Sequence, residues 1–348
     1  MLILIFSLIA GVLGHAHPAE HPDSTDSAKA FIESLDDEQM AQAVYSFEDS
    51  KRLHWMYLPG ARAGLPLRDM NKDQRKRAND LLATMLSEHG MRDLEGIYAM
   101  ELALREQSRR RGHEDPTRDP DQYELAIFGT PGEPIWAWHY EGHHLSLNFT
   151  HINEEVCVTP LFIGVAPFEL PEGPLQGTRV LGDESDLAFK FMQSLDDEQR
   201  KQAILSDRTP HDILTMPGRE NRLNKPEGLK LGTLNMNQKM MAMAILESYA
   251  RILQGPVAQI ELDRITQHGL DNLHFAWMGK LTPDQSHYFR LQGPSFILEY
   301  DCVGGDPEHV HMVWHDPERN MGADPLKRHH ERHHPPSSEN EDTPSRNP

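Results

Sequence analysis

The feature that most constrains this chain is a repeat. Ser34-Leu-Asp-Asp-Glu-Gln39 returns letter for letter as Ser194-Leu-Asp-Asp-Glu-Gln199, and the segments downstream of each copy return in the same order. Leu58-Pro59-Gly60 is echoed by Met216-Pro217-Gly218, with an arginine close behind in each case, Arg62 and Arg219. Next come two helical stripes: Ala78, Leu81, Leu82, Met85 and Leu86 share one helix face, and Ala242, Ile245, Leu246, Tyr249 and Ala250 repeat the same spacing. Tyr123–Gly129 then parallels Leu273–Gly279, and Trp138–Gly142 parallels Phe289–Gly293, with the aromatic and β-branched alternation of strands between Gly and Pro turns.

A chain that repeats itself at this scale is expected to fold as two copies of one unit. The expected class is α+β with internal duplication, each half helices followed by an antiparallel β-meander, the halves related by a pseudo-two-fold. Their sheets would either pack face to face or join into one. The first unit is placed over 28–170, a Pro- and Gly-rich linker over 171–183, and the second unit over 184–322. Asp183 to Asp186 supply N-cap chemistry for the helix after the linker. The repeated hexapeptide reads as a helix start, with Ser34 or Ser194 as N-cap and Asp37 or Asp197 at N3. Its carboxylates therefore mark structure rather than a catalytic acid pair.

Charge narrows the partners. Lys and Arg total 34 against 54 Asp and Glu, a net −20 that repels phosphate backbones, so no nucleic acid is expected. Leu2 to Leu13 form an apolar run too short to span a bilayer, and small residues at Gly14 and Ala16 suit a cleavage site. This reads as a signal peptide over 1–16, then a flexible leader over 17–27, and it points to a secreted or periplasmic protein without stable membrane insertion. Cys157 and Cys302 are either one bridge or two buried thiols. The stretch 323–348 reads as a disordered His-rich tail. His330-Glu-Arg-His-His334 within it matches the H-E-x-x-H zinc-protease pattern, yet it lacks an apolar flank and runs into Pro335-Pro336.

The 21 histidines make metal the chemistry to search for. In Glu141-Gly-His-His-Leu-Ser-Leu-Asn-Phe-Thr150, a period-2 reading puts His143 with Leu145, Leu147 and Phe149, and His144 with Ser146, Asn148 and Thr150. The corresponding strand, Ser295–Asp301, aligns Asn148 with Glu299 and Thr150 with Asp301. His309 and His311 then share a strand face, opposite Val310, Met312 and Trp314. Two imidazoles at i and i+2 form a ligand pair that a first-row metal would complete with Glu299, Asp301 or His144. The competing reading is a pair of structural histidines bonded to backbone. Glu141, beside two imidazoles, is a general base, an orienter of a ligand histidine, or a turn residue paired with Arg290 or another cation, and His143 is its catalytic companion. Asn148, Asp301 and Arg290 are the candidate substrate contacts. Nucleophile elbow, Walker and dinucleotide motifs are absent from the sequence.

Several segments together carry a resemblance: Trp55-Met-Tyr-Leu-Pro59, Leu65-Pro-Leu67 with Gln74-Arg75, Ile127-Phe-Gly129, Glu141–Asn148, Gln292-Gly-Pro294 and His309–Trp314. In these the chain, from about Ala28 to Gly322, resembles the domain-of-unknown-function family 3500. That family is described as one of unknown function, mostly bacterial and often exported, so the resemblance implies export and transfers no mechanism. The expectation is an exported protein that binds a transition metal (zinc, copper or iron) through His309, His311, Glu299 and His144 and acts on a small substrate. The alternative is a non-enzymatic module that binds a small ligand outside the cytoplasm.

Overall fold

The computed structural model describes residues 24–113 and 115–333. The expected signal peptide, most of the expected leader and the tail beyond residue 333 lie outside the described residues. In the first half, α1 (Ser24–Glu33), α2 (Asp37–Ala43), β1 (Val44–Tyr45), β2 (Leu65–Pro66), α3 (Lys72–Met85) and α4 (Glu88–Arg110) precede β3 (Glu124–Gly129), β4 (Ile135–Gly142), β5 (Leu145–Ile152), β6 (Glu155–Cys157) and β7 (Leu161–Val165). In the second half, α5 (Gly182–Ser194), α6 (Asp197–Ala203), β8 (Ile204–Ser206), β9 (Leu229–Lys230), α7 (Met236–Ala250) and α8 (Gly255–Gln267) precede β10 (His274–Gly279), β11 (His287–Gln292), β12 (Ile297–Cys302) and β13 (Val310–His315), with α9 (Ala323–His333) last. Helices and sheet are both substantial, so the class is α+β.

Both copies of the hexapeptide start a helix, with a cap different from the one expected. Asp36 and Asp196 are the N-caps, each bonded to the backbone of Gln39 or Gln199, whose side chain returns the bond. The Gln at N3 sets this register. Ser34 and Ser194 bond back to Phe31 O and Phe191 O, three residues earlier. The helix expected after the linker starts at Gly182 without a side-chain cap, so Asp183 and Glu184 sit in its first turn and meet the positive end of its dipole.

The strands form one sheet with the path β1-β3-β4-β5-β7-β13-β12-β11-β10-β8. Registers correspond between its two arms. Trp138 faces Phe149 as Phe289 faces Tyr300, and His139 faces Asn148 as Arg290 faces Glu299. Val44 pairs in parallel with Ile127 as Ile204 does with Trp277. The arms meet where β7 pairs with both β5 and β13, so the two sheets have joined rather than stacked.

One face of the sheet, including Trp138, Phe149, Ile163, Leu298, Tyr300, Met312 and Trp314, shares an apolar core with both helical stripes. The opposite face is covered by loops: Trp55 and Tyr57 from one and Ile213 from another pack on Phe162 and Val313. These loops hold the functional face down.

Three expectations fail locally. His143 and His144 form the β4–β5 turn rather than strand, and His144 takes φ 65°. α1 begins inside the expected leader, where Ser24 bonds Thr84 and Ser27 and Ala28 are buried. Ala323–His333 is helical where a disordered tail was expected, because Leu326 packs on Gly322 beside β5 and Arg328 approaches Glu155, giving an otherwise polar segment a place to dock. Cys157 and Cys302 are both free and buried. Among the described residues, no helix is long and apolar enough to cross a membrane.

Asp93 on α4 and Glu184 on α5 are buried carboxylates that share the influence of Arg251. Burial pushes Asp93 up to about 8 and Glu184 up to about 7, each raised further by neighbouring acids and opposed by Arg251. A carboxyl raised in the folded state keeps a proton that the unfolded chain releases, so stability falls as pH climbs from the ordinary carboxylate range, near 4, through these values. Asp93→Asn should therefore flatten the decline in melting temperature between pH 5 and pH 8. A decline as steep as in the parent chain would show that Asp93 is ionised in the fold.

Candidate metal centre

Three imidazoles converge where the arms of the sheet meet. His144 Nε2 lies 3.0 Å from His309 Nε2, which lies 3.2 Å from His311 Nε2. His144 comes from the β4–β5 turn, His309 from the residue before β13, and His311 from β13 itself. Ligands about 2.0–2.1 Å from a tetrahedral zinc stand roughly 3.3 Å apart, and two of the three nitrogen pairs are near that spacing, with ligand atoms of all three histidines within 4.8 Å of one another.

The far side of two rings is held by carboxylates. His311 Nδ1 is 2.7 Å from Asp212 Oδ1, and Tyr57 donates its hydroxyl to Asp212 Oδ2 at 2.9 Å. His144 Nδ1 is 2.8 Å from Glu101 Oε1 on α4, off the line of a good hydrogen bond. Glu101 Oε2 is 3.0 Å from His143 Nδ1, and Arg118 donates to Oε1 at 3.0 Å. Burial opposes the charge on Glu101, but the hydrogen bond from His143, with His144 close beside it, holds its carboxyl at about 2. Asp212 is held below its ordinary value in the same way, by His311 against burial. An ionised carboxylate only accepts, so the Nδ1 atoms of His144 and His311 carry protons and their Nε2 atoms present lone pairs. Burial lowers His144 well below the usual imidazole value, takes His309 down to about 4 and lowers His311 too, so all three rings are neutral at pH 7. Both of these lone pairs point at His309 Nε2, so either a proton on that nitrogen or a cation lies between them.

Backbone fixes this geometry. His144 donates its N–H to Tyr57 O at 3.0 Å and accepts from Gly164 N at 2.7 Å. Those two bonds hold a non-glycine residue in the left-handed region, at a cost of about 1–3 kcal/mol. Gly164 on β7 stands opposite His311 in the ladder. A Cβ there would lie 2.7 Å from His311 Cδ2 and 3.0 Å from His144 Cδ2, so the rings need a glycine between them.

One of the three, His309, lines a cleft of about 660 Å³ together with Arg118, Gln107 and Arg110 of α4, Glu169 and Glu308, while His144 and His311 are buried and do not line it. That size suits a small molecule. His143 stacks on His144, ring centres 3.9 Å apart, and is partly exposed.

The other expected residues stand elsewhere. Glu299 does not join the histidines: its carboxylate accepts from Leu214 N at 2.8 Å, Thr215 N at 2.9 Å, Tyr288 OH at 2.7 Å and the Thr215 hydroxyl. It clamps a covering loop and has no lone pair left for a metal. Glu299→Gln should cost about 2–4 kcal/mol of stability in a denaturant titration, since an amide places N–H groups against donors, while bound metal stays unchanged. Loss of metal from a folded variant would return Glu299 to the ligand set. Glu141 does the same for the other loop, accepting from Met56 N at 3.0 Å and from Ser146, and burial raises it to about 7. Asn148 bonds Ser146 and Pro160 O, and Arg290 donates to Glu227 at 3.0 Å rather than to Glu141. Asp301 is fully buried opposite His311, and neither oxygen has a hydrogen-bond partner among the described residues.

Sequence reasoning does not reach Glu101, Asp212 or Gly164. Glu101 leaves a trace in the sequence: it extends the stripe Leu94, Ile97, Glu101 on the buried side of α4, where a carboxylate needs a partner. Asp212 lies in a loop with no such pattern.

No curated protein and no solved structure matches the chain. The family described as Protein of unknown function (DUF3500) matches residues 18–323, which span every group just named, and the chain belongs to that family.

Proposed function

We propose that this protein binds one divalent transition metal through Nε2 of His144, His309 and His311, with Glu101 and Asp212 orienting two of the rings. The observation that carries the reading is the convergence of three Nε2 atoms at 3.0 and 3.2 Å, two of their rings backed by carboxylates, Glu101 buried and Asp212 partly buried. Three imidazoles with an open fourth position suit zinc best, with copper and iron next. Such a site supports catalysis, because a metal with an open position lowers the pKa of a bound water toward 7 and polarises a carbonyl or phosphoryl oxygen. Metal-assisted hydrolysis of a small substrate held in the cleft is the activity this favours. His143, its Nδ1 on Glu101 and its ring at the edge of the site, is placed to move a proton.

The matching registers of the two arms and the twin capping boxes support descent from a duplicated unit about a pseudo-two-fold. The metal site does not repeat with it: His144 and Glu101 come from the first half, and His309, His311 and Asp212 from the second. The apolar run Leu2–Leu13 supports export.

Elemental analysis of untagged, full-length protein after dialysis against chelating resin and reloading tests the reading. About one metal per chain beyond what the His-rich tail holds is expected, the tail's share being set by a His309→Ala sample treated identically. No difference between the two would leave the cleft as a metal-free ligand pocket.

A further inference from the structure

We infer that the cleft beside the three histidines takes a small substrate bearing a positive charge, a primary amine or a guanidinium, in addition to the group that reaches the metal. The inference rests on the metal reading just given and adds the substrate class. The cleft has a volume of about 660 Å³ with the ligand His309 in its wall, so whatever enters it lies against the metal site.

Charge decides what enters. Two cations line the cleft, Arg110 and Arg118, and both are matched. Arg110 sits 3.2 Å from Glu106 and 2.9 Å from Glu172, while Arg118 sits 3.0 Å from Glu101 and 3.6 Å from Asp115. Glu169, Asp306 and Glu308 also line it, and no ion pair joins any of them to a cation among the described residues. Glu308 immediately precedes His309, and Asp306 begins the turn that delivers it, so two of these charges are tied to the backbone that carries a ligand. The cleft wall is therefore negative beside a site that would hold a metal cation. An electron-rich reacting group is drawn to the metal, and a cationic group is held against the carboxylates. A wholly anionic substrate would meet three unmatched carboxylates and a chain of net charge −20. The apolar part of the wall, Leu104, Ala166, Pro167 and Pro171, suits an aliphatic stem between the two ends.

Three hydroxamates of similar length separate the possibilities, since each chelates a metal through the same head: aminocaproyl hydroxamate, its isostere heptanoyl hydroxamate, and adipoyl monohydroxamate. Binding to the zinc-loaded protein is measured by calorimetry at low and high salt. The amine should bind about tenfold more tightly than the neutral isostere, and the carboxylate more weakly than either. Added salt should shrink the amine's advantage, as should Glu169→Gln combined with Glu308→Gln. Equal binding of amine and isostere, or preference for the carboxylate, overturns the inference and leaves the metal reading standing. Protein that neither retains zinc nor binds the neutral hydroxamate overturns both.

Discussion

His309→Ala should yield a folded protein that no longer retains its metal. His309 precedes β13 and is partly exposed in the cleft wall, so its removal leaves no large cavity and breaks no strand pairing. His144 and His311 would remain, backed by Glu101 and Asp212, but two imidazoles cannot enclose a cation as three do. Loss of an orienting neighbour alone costs about 10–100-fold in affinity, and loss of a ligand should exceed the upper end of that range. Metal content should drop to the background held by the His-rich tail, with the circular dichroism spectrum unchanged and the melting temperature within a few degrees of the parent measured metal-free. His311→Ala should also lose metal, but with a clear loss of stability: His311 is buried against Tyr57 and Phe162, and its removal strands the charge on Asp212. A folded His309→Ala protein with its metal stoichiometry intact beyond the tail would sink the assignment.

The features legible in the sequence are those whose signals are local. The helix stripes, the twin capping boxes and the strand alternation are set by residues within a few positions of one another, and the structure realises them with small shifts, such as the move of the cap from Ser34 to Asp36. The pair His309 and His311 is legible for the same reason, a spacing of two on a strand edge. His144 is found for a reason that does not hold. Period-2 patterning puts it on a strand face, whereas it sits in a turn and owes its direction to a left-handed backbone. Glu299 misleads because the same patterning gives the face of a side chain and not its partners: it is on the functional face, but the loop carrying Leu214 and Thr215 comes down on it. Those loops have no periodicity to read, and they also bring Asp212 and Tyr57 to the site. Glu101 arrives from a helix in the same half as His144, and the joined sheet brings that pair to His309 and His311 of the other half.

Gly164→Ala should separate the metal site from the fold more sharply than any ligand change, because it alters no ligand at all. Gly164 is a middle residue of the sheet, paired to His311 on one side and donating its N–H to His144 O on the other. An added methyl would sit 2.7 Å from His311 Cδ2 and 3.0 Å from His144 Cδ2. Neither neighbour is the far end of a flexible chain. Each is a buried ring whose other side is fixed by a carboxylate, so one of them must rotate or the strand must move. Rotation pulls Nε2 away from the common point and should weaken metal binding by about 100-fold, comparable to losing an orienting carboxylate outright. Strand movement would appear as lost stability, about 1–3 kcal/mol for one crowded methyl in a packed interior. The two responses are read independently, by competition with a chromophoric chelator and by urea titration of the metal-free protein. If the rings are poised for a metal, the chelator assay should change far more than the urea midpoint. If they are only packed there, the urea midpoint alone should move.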